Sequence, residues 1–496
     1  MNVVEAFLLW SNGTHTGVTI VPKLTSTSIL NNGYTFGGLT INVADANIQL
    51  TSDLVLAGAL TLTQGTINTN TSNVTSASFA SAGPFPRSII GTNTTYTISG
   101  AGATAWNFGS TGSVLFNTVN QRLSLAASSA FNLSGGTWTI EFWMYSTATP
   151  TAGNQCRIFM FGTNGANTAF DVGYNNDGTI SVAVPNGALG ITSAAGAISL
   201  NTWYHVAVVS NANSVSFYIN GSLSGTPGTI TQPASSSPTL FIGYDTPATA
   251  NFQFQGYITN VRIVNTVAVY TGNFTTPTKP LLPTQSADTN INAITGSQTS
   301  LLLSTPINSF LTDYSNNNFT VTNVGAATAN ILSPFAVMSP GITFTGFTIS
   351  MTSASAKTFV GSGGTYPIIN QGGAGALTIT GNNTFYNITN TTQPTTISFT
   401  AATTTTFKYF SLDGIAGNLV TVTSATAANH TLSMSSGIAN TQYMSISRSQ
   451  ATGGAGWIVA TSTNGGTNSG WVFAVPRFVE MGDISFDTTD GGITFT

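Results

Sequence analysis

The stretch GGTWTIEFWMY, Gly135 to Tyr145, alternates strictly along its length. Trp138, Ile140, Phe142 and Met144 fall on one side; Thr137, Thr139, Glu141, Trp143 and Tyr145 fall on the other. A period of two predicts a β-strand with one apolar face. Similar runs (RIFMFGT, TISVAVP, TWYHVAVVS, SVSFYING, TLFIGY, YITNVRIV) recur between about Ser113 and Phe335, parted by turn residues such as NNDG and NGSLSG. Strands of this length and spacing predict a two-sheet antiparallel sandwich. In FYINGSLSG the pair Asn220-Gly221 supplies the positive φ angles of a tight hairpin. No helical periodicity of useful length occurs.

The flanks have a different texture. In LVLAGALTLTQGTINT, Leu54, Leu56, Leu60, Leu62 and Ile67 keep period two while Gly58 and Gly65 interrupt it. Further on, Leu377/Ile379, Ile397/Phe399 and Leu419/Val420 recur at about 20 residues, the length of one solenoid coil. The expected fold class is therefore all-β: a jelly-roll-like antiparallel sandwich over 113–335, flanked by β-solenoid or short-strand β modules over 36–112 and 336–473. Residues 1–35 match no pattern, and they and the C-terminal segment 474–496 are set apart.

Composition sharpens this reading. A chain of 496 residues exceeds one ordinary core. Charged residues make up 5%, against about 25% in a typical soluble domain. Thr and Asn, which suit pleated surfaces and tight turns, carry the polarity instead. So little charge gives little mutual repulsion, so exposed sheet edges should be removed by closure, stacking or oligomerisation. The net charge of −4 and the lack of a basic stripe argue against nucleic acid as a partner. Cys156, the one cysteine, excludes intrachain disulfides and reads as a small buried hydrophobe. AFLLW falls far short of the roughly 18 apolar residues of a membrane span. The N-terminal stretch carries Glu5 and no basic region, which predicts no secretory signal, and the N-x-S/T triplets then reflect composition.

Several landmarks in order carry a resemblance: VLFNTVNQRLSL (Val114 to Leu125), GGTWTIEFWMY, NTWYHVAVV, SFYINGSLSG, FIGY and GYITNVRIVNTVAVYTGNFTTPTKPL (Gly256 to Leu281). Together they resemble a laminin-G-like domain of the concanavalin A-like lectin/glucanase superfamily, with a tail like that of phage versions. The flanks, TLTQGTINTNTSNVTSASF and SASAKTFVGSGGTYPIINQGGAGALTITGNNTFYNIT among them, resemble Thr/Asn/Gly-rich β-solenoid modules of phage virion and tail-fibre proteins. AWNFGSTG and ITFTGFTISM look like halves of one such module. The sandwich is thus read as an insertion into a solenoid loop, and Gly112 and Gly341 are expected close together.

The superfamily includes glucanases, which poses the question of Glu141. Retaining glycosidases need two carboxyls about 5–5.5 Å apart. The same-face neighbours of Glu141 include no second acid, and Asp171 and Asp177 are distant in sequence. Glu141 reads as a half-buried structural residue paired with Arg157 or Arg262 or with backbone, and no catalytic residue is assigned. His205 reads as a packed core residue, and His15 and His430 as solvent-facing; their scatter argues against zinc. What remains is binding. Lectins of the superfamily present rim loops with Asp and Asn for sugar hydroxyls or calcium, and an aromatic platform. The resemblance makes Tyr174, Asn175, Asn176 and Asp177 (in YNNDG) and Tyr244 and Asp245 (in YDTPATANFQF) glycan-binding candidates; a plain Asx turn is the alternative. Calcium needs six to eight oxygens, toward which Asp171, Asp177 and Asp245 could contribute; no other cofactor is expected.

The expected function is a non-enzymatic phage virion structural protein, a tail fibre or surface appendage, displaying a lectin-like domain to host-surface glycan. Its expected setting is the virion, assembled in host cytoplasm as a homo-oligomer, such as a trimer, with other virion proteins. No membrane insertion is expected. The alternatives are a bacterial cell-surface adhesin, extracellular or surface-bound, and a glycan depolymerase.

Overall fold

The structure, a computed structural model, describes residues 15–20, 26–29, 33–109, 111–151, 155–162, 170–183, 189–231, 235–244, 252–306, 309–335 and 342–474. Asp245 and Gly341 lie outside them, as does the side chain of His15. The chain separates into two compact units. The first comprises residues 1–100, 104–348 and 359–366; the second comprises 101–103, 349–358 and 367–496. Among the described residues helical structure is confined to 3-10 turns, at Ser129–Phe131 and at Phe252. The protein is all-β.

The first unit opens with a stack of coils. Thr35–Leu50, Ala59–Asn70 and Arg87–Ile98 are its long strands, all paired in parallel. Parallel, in-register stacking puts like residue on like residue. Leu39, Leu60, Phe79 and Trp106 form one inward column, and Ile48, Ile67 and Ile89 another; all are fully buried. The intervening positions point outward as columns of small polar groups, Asn47 on Thr66 on Ser88. This is how a thin apolar core is closed while Thr and Asn face water.

The sandwich follows, from Ser113–Phe116 to Thr328–Asn330. Its first sheet runs Ser222–Leu223, Ser214–Ile219, Trp203–Asn211, Trp138–Ser146, Gly256–Asn265, Ser113–Phe116, Thr328–Asn330, with Thr299–Leu303 and Gly228–Thr229 paired beside it. Its second runs Leu189–Thr192, Ile180–Ala183, Phe170–Asn175, Gln155–Phe161, Leu240–Ile242, Arg122–Leu125, Thr322–Val324. Asn220 and Gly221 form the expected hairpin, with φ of 49° and 77°. Trp138, Ile140, Phe142 and Met144 face the core between the sheets. Beyond the sandwich, Ile342–Met351 pairs with Arg87–Ile98, and Phe344 and Phe347 pack on Phe79 and Tyr96.

The expectation of one apolar and one open face on Trp138–Ser146 is corrected. Thr139, Glu141 and Trp143 are buried as well. The segment after Gly256–Asn265 folds back over that face. Its Ala268, Val269, Tyr270 and Ile294 build a second cluster with Ala207, Val209, Tyr218 and Val264.

The second unit repeats the coil design. Leu377, Ile397, Val422 and Ile446 stand in one buried column. The partner of Ile397 is Val422, so Leu419, expected on this rung, falls in the connecting loop. A small parallel sheet of Ile438–Gln442, Gly456–Ala460 and Val472–Ala474 completes the described part. His430, expected in solvent, is fully buried on the same inward face as Leu432.

Candidate functional site

Glu141 is fully buried, not half-buried. Arg262 stands opposite it across the strand pair, because one extra residue in Gly256–Asn265 shifts the register between Glu141 and Trp143. The left-handed Asn260, φ 51°, lies in that bulge. The Arg262 Nη2 and Nε atoms donate to Glu141 Oε1 at 2.6 and 2.8 Å. The Tyr270 hydroxyl donates to Oε2 at 2.7 Å, and His205 Nε2 lies 3.3 Å from the same oxygen. Arg262 also donates to the Leu282 carbonyl and to Gln285. Burial alone would raise the Glu141 carboxyl; the Arg262 guanidinium and the bonds from His205 and Tyr270 outweigh it and hold the group at about 2. Every donor comes from a different element, so the cluster ties three neighbouring strands to the covering segment. Of the two partners expected for Glu141, Arg262 is the one found. Arg157 instead pairs with Asp171, Nε to Oδ2 at 3.3 Å.

The rim candidates divide. Asn176 and Asp177 are exposed and Asn175 partly so. Asp177 Oδ1 accepts from the Thr179 backbone N–H and hydroxyl at 3.1 and 2.7 Å, and Gly178 takes φ of 79°. This is the Asx-type turn of a hairpin, with the carboxylate engaged locally. Tyr174 and Tyr244, expected as sugar platforms, are 1% and 0% exposed. Tyr174 belongs to the core between the sheets, on the inward face with Val172, and burial raises its hydroxyl pKa. Neither ring can be offered to a ligand. Asp171 is buried against Arg157 and Gln155. Among the described residues no three His, Cys, Asp or Glu side chains cluster as metal ligands. Cys156 is buried, donates to the Gln253 carbonyl, and has its thiol pushed up to about 12 by burial.

A site that sequence reasoning missed lies within the first unit. A cleft of about 1380 Å³ opens between the outer face of the coils and the tail of the sandwich. Its floor is three rungs: Asn42, Asn47, Gln64, Thr66, Asn68 and Ser88. Its wall is Pro283, Thr284, Ser309, Thr312, Tyr314, Asn316 and Asn318. Gln64 Nε2 donates to Asn42 at 3.1 Å, and the Thr66 and Ser88 hydroxyls lie 2.7 Å apart, so adjacent rungs align each other. Phe85 meets Tyr314 edge-on at 6.0 Å where coil and sandwich touch. The charged side chains along the lining are engaged elsewhere. Asp313 is buried and accepts backbone N–H groups from Leu302, Ser315 and Phe319. Arg87 is buried and donates to Ser81 and to the carbonyls of Gly83 and Phe85. The polar groups exposed in the cleft are amides and hydroxyls, set beside apolar surface that includes the exposed Ile90, a mixture complementary to the O–H and C–H faces of a neutral polyol.

No curated protein matches the chain. Among solved structures, it is similar to the heptameric SAP-like pentraxin from Limulus polyphemus, with 20% identity over 31% of this chain and 75% of that one, and a TM-score of 0.24. Domains LG4-5 of the mouse laminin alpha1 chain show 15% identity over 31% and 41%, with a TM-score of 0.25. The CBM40 of Ruminococcus gnavus IT-sialidase, bound to alpha2,3 sialyllactose, shows 12% identity over 29% and 85%, with a TM-score of 0.23. The fold assignment rests instead on the sequence and the sheet order. Residues 116–269 match the laminin G family model described as Concanavalin A-like lectin/glucanases superfamily, and the sandwich that contains them has that superfamily's jelly-roll fold.

Proposed function

We propose that this chain is a non-enzymatic carbohydrate-binding protein, a phage virion structural component of the tail-fibre or surface-appendage kind, in which stacked coils are the stiff spacer and the cleft of the first unit meets a host-surface glycan. The observation that carries the reading is the cleft's lining of aligned amides and hydroxyls on a rigid floor. Groups fixed by the coil ladder lose little freedom on binding, which is where affinity for a flexible polyol is otherwise lost. Glu141 supports the non-hydrolytic part, since all its acceptor capacity is committed beneath the covering segment. Each site would bind weakly, millimolar affinity being about −4 kcal/mol, and several copies on one particle would raise avidity about 10²–10⁴-fold.

The test is titration of the full chain with neutral oligosaccharides and with host-surface polysaccharide, following ligand-observed NMR and reducing-end release. Binding should be insensitive to salt, should weaken in Gln64→Ala and Tyr314→Ala, and should release no reducing ends. Hydrolysis abolished by Glu141→Gln in a folded protein would overturn the non-enzymatic reading. Unchanged binding in both cleft variants would overturn the assignment of the cleft.

A further inference from the structure

The second unit carries an exposed group that the cleft reading does not use. Thr384–Asn390 and Thr404–Ser411 are neighbouring parallel strands, with Phe385 opposite Phe407 and Asn387 opposite Tyr409. Phe385 and Phe407 point inward and stack at 5.9 Å with an 18° interplanar angle, which fixes the rung from below. Tyr386 points outward, and on the next strand Lys408 and Tyr409 are exposed in succession. Tyr386 and Tyr409 are 48% and 47% exposed, and among the described residues no Phe, Trp or other Tyr is as open. Their centroids lie 5.3 Å apart at 70°, with the Lys408 ammonium 5.1 and 5.5 Å from the two rings.

The composition makes this arrangement informative. The chain has ten basic residues, and in the described part of the second unit Lys357 is buried, leaving Lys408 and Arg448 exposed. Among the described residues no carboxylate lies within ion-pair distance of Lys408. A cation–π contact orients the ammonium without neutralising it. Two half-exposed rings in edge-to-face contact therefore sit beside a positive charge that no described carboxylate pairs, on a backbone held by stacked phenylalanines. Aromatic faces take the apolar C–H face of a sugar ring, and the ammonium takes an anionic substituent. A nucleic acid would need several cations along its backbone, and here there is one.

We infer that Tyr386, Lys408 and Tyr409 form a second carbohydrate site, selective for an acidic polysaccharide such as a polyuronate. It is separate in chemistry from the neutral cleft. The single ammonium sets the charge preference, and the two rings hold consecutive sugar units.

The experiment titrates the full chain with oligogalacturonate and with dextran oligomers of equal length, at low and at raised salt. Oligogalacturonate should bind preferentially, and raised salt should weaken it. Tyr386→Ala and Tyr409→Ala should each weaken it about five- to tenfold, and Lys408→Gln should remove both the preference and the salt effect. Thermal unfolding checks that these surface variants remain folded, and Lys408→Glu gives a further folded variant in which oligogalacturonate binding should vanish. Gln64→Ala, in the cleft, should leave oligogalacturonate binding intact, which separates this site from the one proposed above. Equal binding of dextran and oligogalacturonate by the Gln64→Ala protein, in which the cleft is impaired, or unchanged oligogalacturonate binding in the tyrosine variants, would overturn the inference. So would a change in oligomeric state on Tyr386→Ala with no loss of sugar binding, which would make the patch a contact between copies.

Discussion

Glu141→Gln in the full chain should destabilise the sandwich heavily. The substitution keeps size and shape but replaces a carboxylate with an amide between Arg262, His205 and Tyr270. Arg262 is 1% exposed and would be left as an uncompensated buried cation, with an amide NH₂ facing other donors. Removing one partner of a buried ion pair costs about 3–5 kcal/mol. At about 2–4 °C per kcal/mol for a domain of this size, the sandwich transition should fall by roughly 10 °C. Scanning calorimetry reads the shift. Near-UV circular dichroism assigns it, because Trp143 packs 5.3 Å from His205 and reports on this cluster. The effect should also depend on pH. The folded carboxyl titrates at about 2 against an ordinary 4.5, so the unfolded chain binds the proton first as pH falls. The stability Glu141 contributes is whole above about pH 4.5 and fades toward pH 2, and parent and variant should converge across that window. Glu141→Leu with Arg262→Met should recover part of the loss, since an apolar pair has no charge to strand. A Glu141→Gln protein that melts within a degree or two of the parent from pH 5 to 8 would refute this account of the cluster.

Three further outcomes follow from the same packing. His430 is buried against Phe399 and burial lowers it to about 4 from 6.5, so the second unit should lose up to about 3 kcal/mol between pH 6.5 and 4; His430→Phe should flatten that slope in pH-dependent melts. Tyr174→Ala should cost about 3–5 kcal/mol by opening a core cavity, whereas Asn176→Ala on the adjacent turn should stay within about 0.5 kcal/mol, both read by denaturant titration. Trp106 is fully buried and packs on Phe79, Tyr96, Phe344 and Phe359, so Trp106→Ala should cost about 3–5 kcal/mol and be seen as a lower melting temperature of the first unit.

The coil columns were legible because parallel stacking repeats the period-two pattern at each turn. Leu377 and Ile397 announce their own pairing. The length of a connecting loop is not constrained this way, which is why Val422 takes the rung expected of Leu419. Two misplacements share one cause, the period-two rule not carried to the strand's end. His430 precedes Leu432 by two and Tyr174 follows Val172 by two, and each points inward with its partner. Tyr244 is different: it lies past the end of Leu240–Ile242, beyond Gly243 with φ of 90°, where alternation no longer says which way a side chain points, and it is fully buried.

The burial of Glu141 and the existence of the cleft were not legible, and for a different reason. Both depend on chain segments far apart. The residue that closes over Glu141 is Tyr270, 129 positions away. The cleft sets Gln64 of the coils beside Tyr314 of the sandwich tail. Alternation within a strand says which residues share a face, but not what comes to cover that face. A strand's second face becomes a core if a later segment has apolar residues to lay on it, as VNTVAVY does through Val269 and Tyr270. It stays a surface where the opposing segment brings Thr, Ser and Asn, as the sandwich tail does over the coils. The same geometric event, one segment folding back over a sheet, thus gives a buried ion pair in one place and an open polar cleft in the other. What the covering segment contributes chemically decides between them.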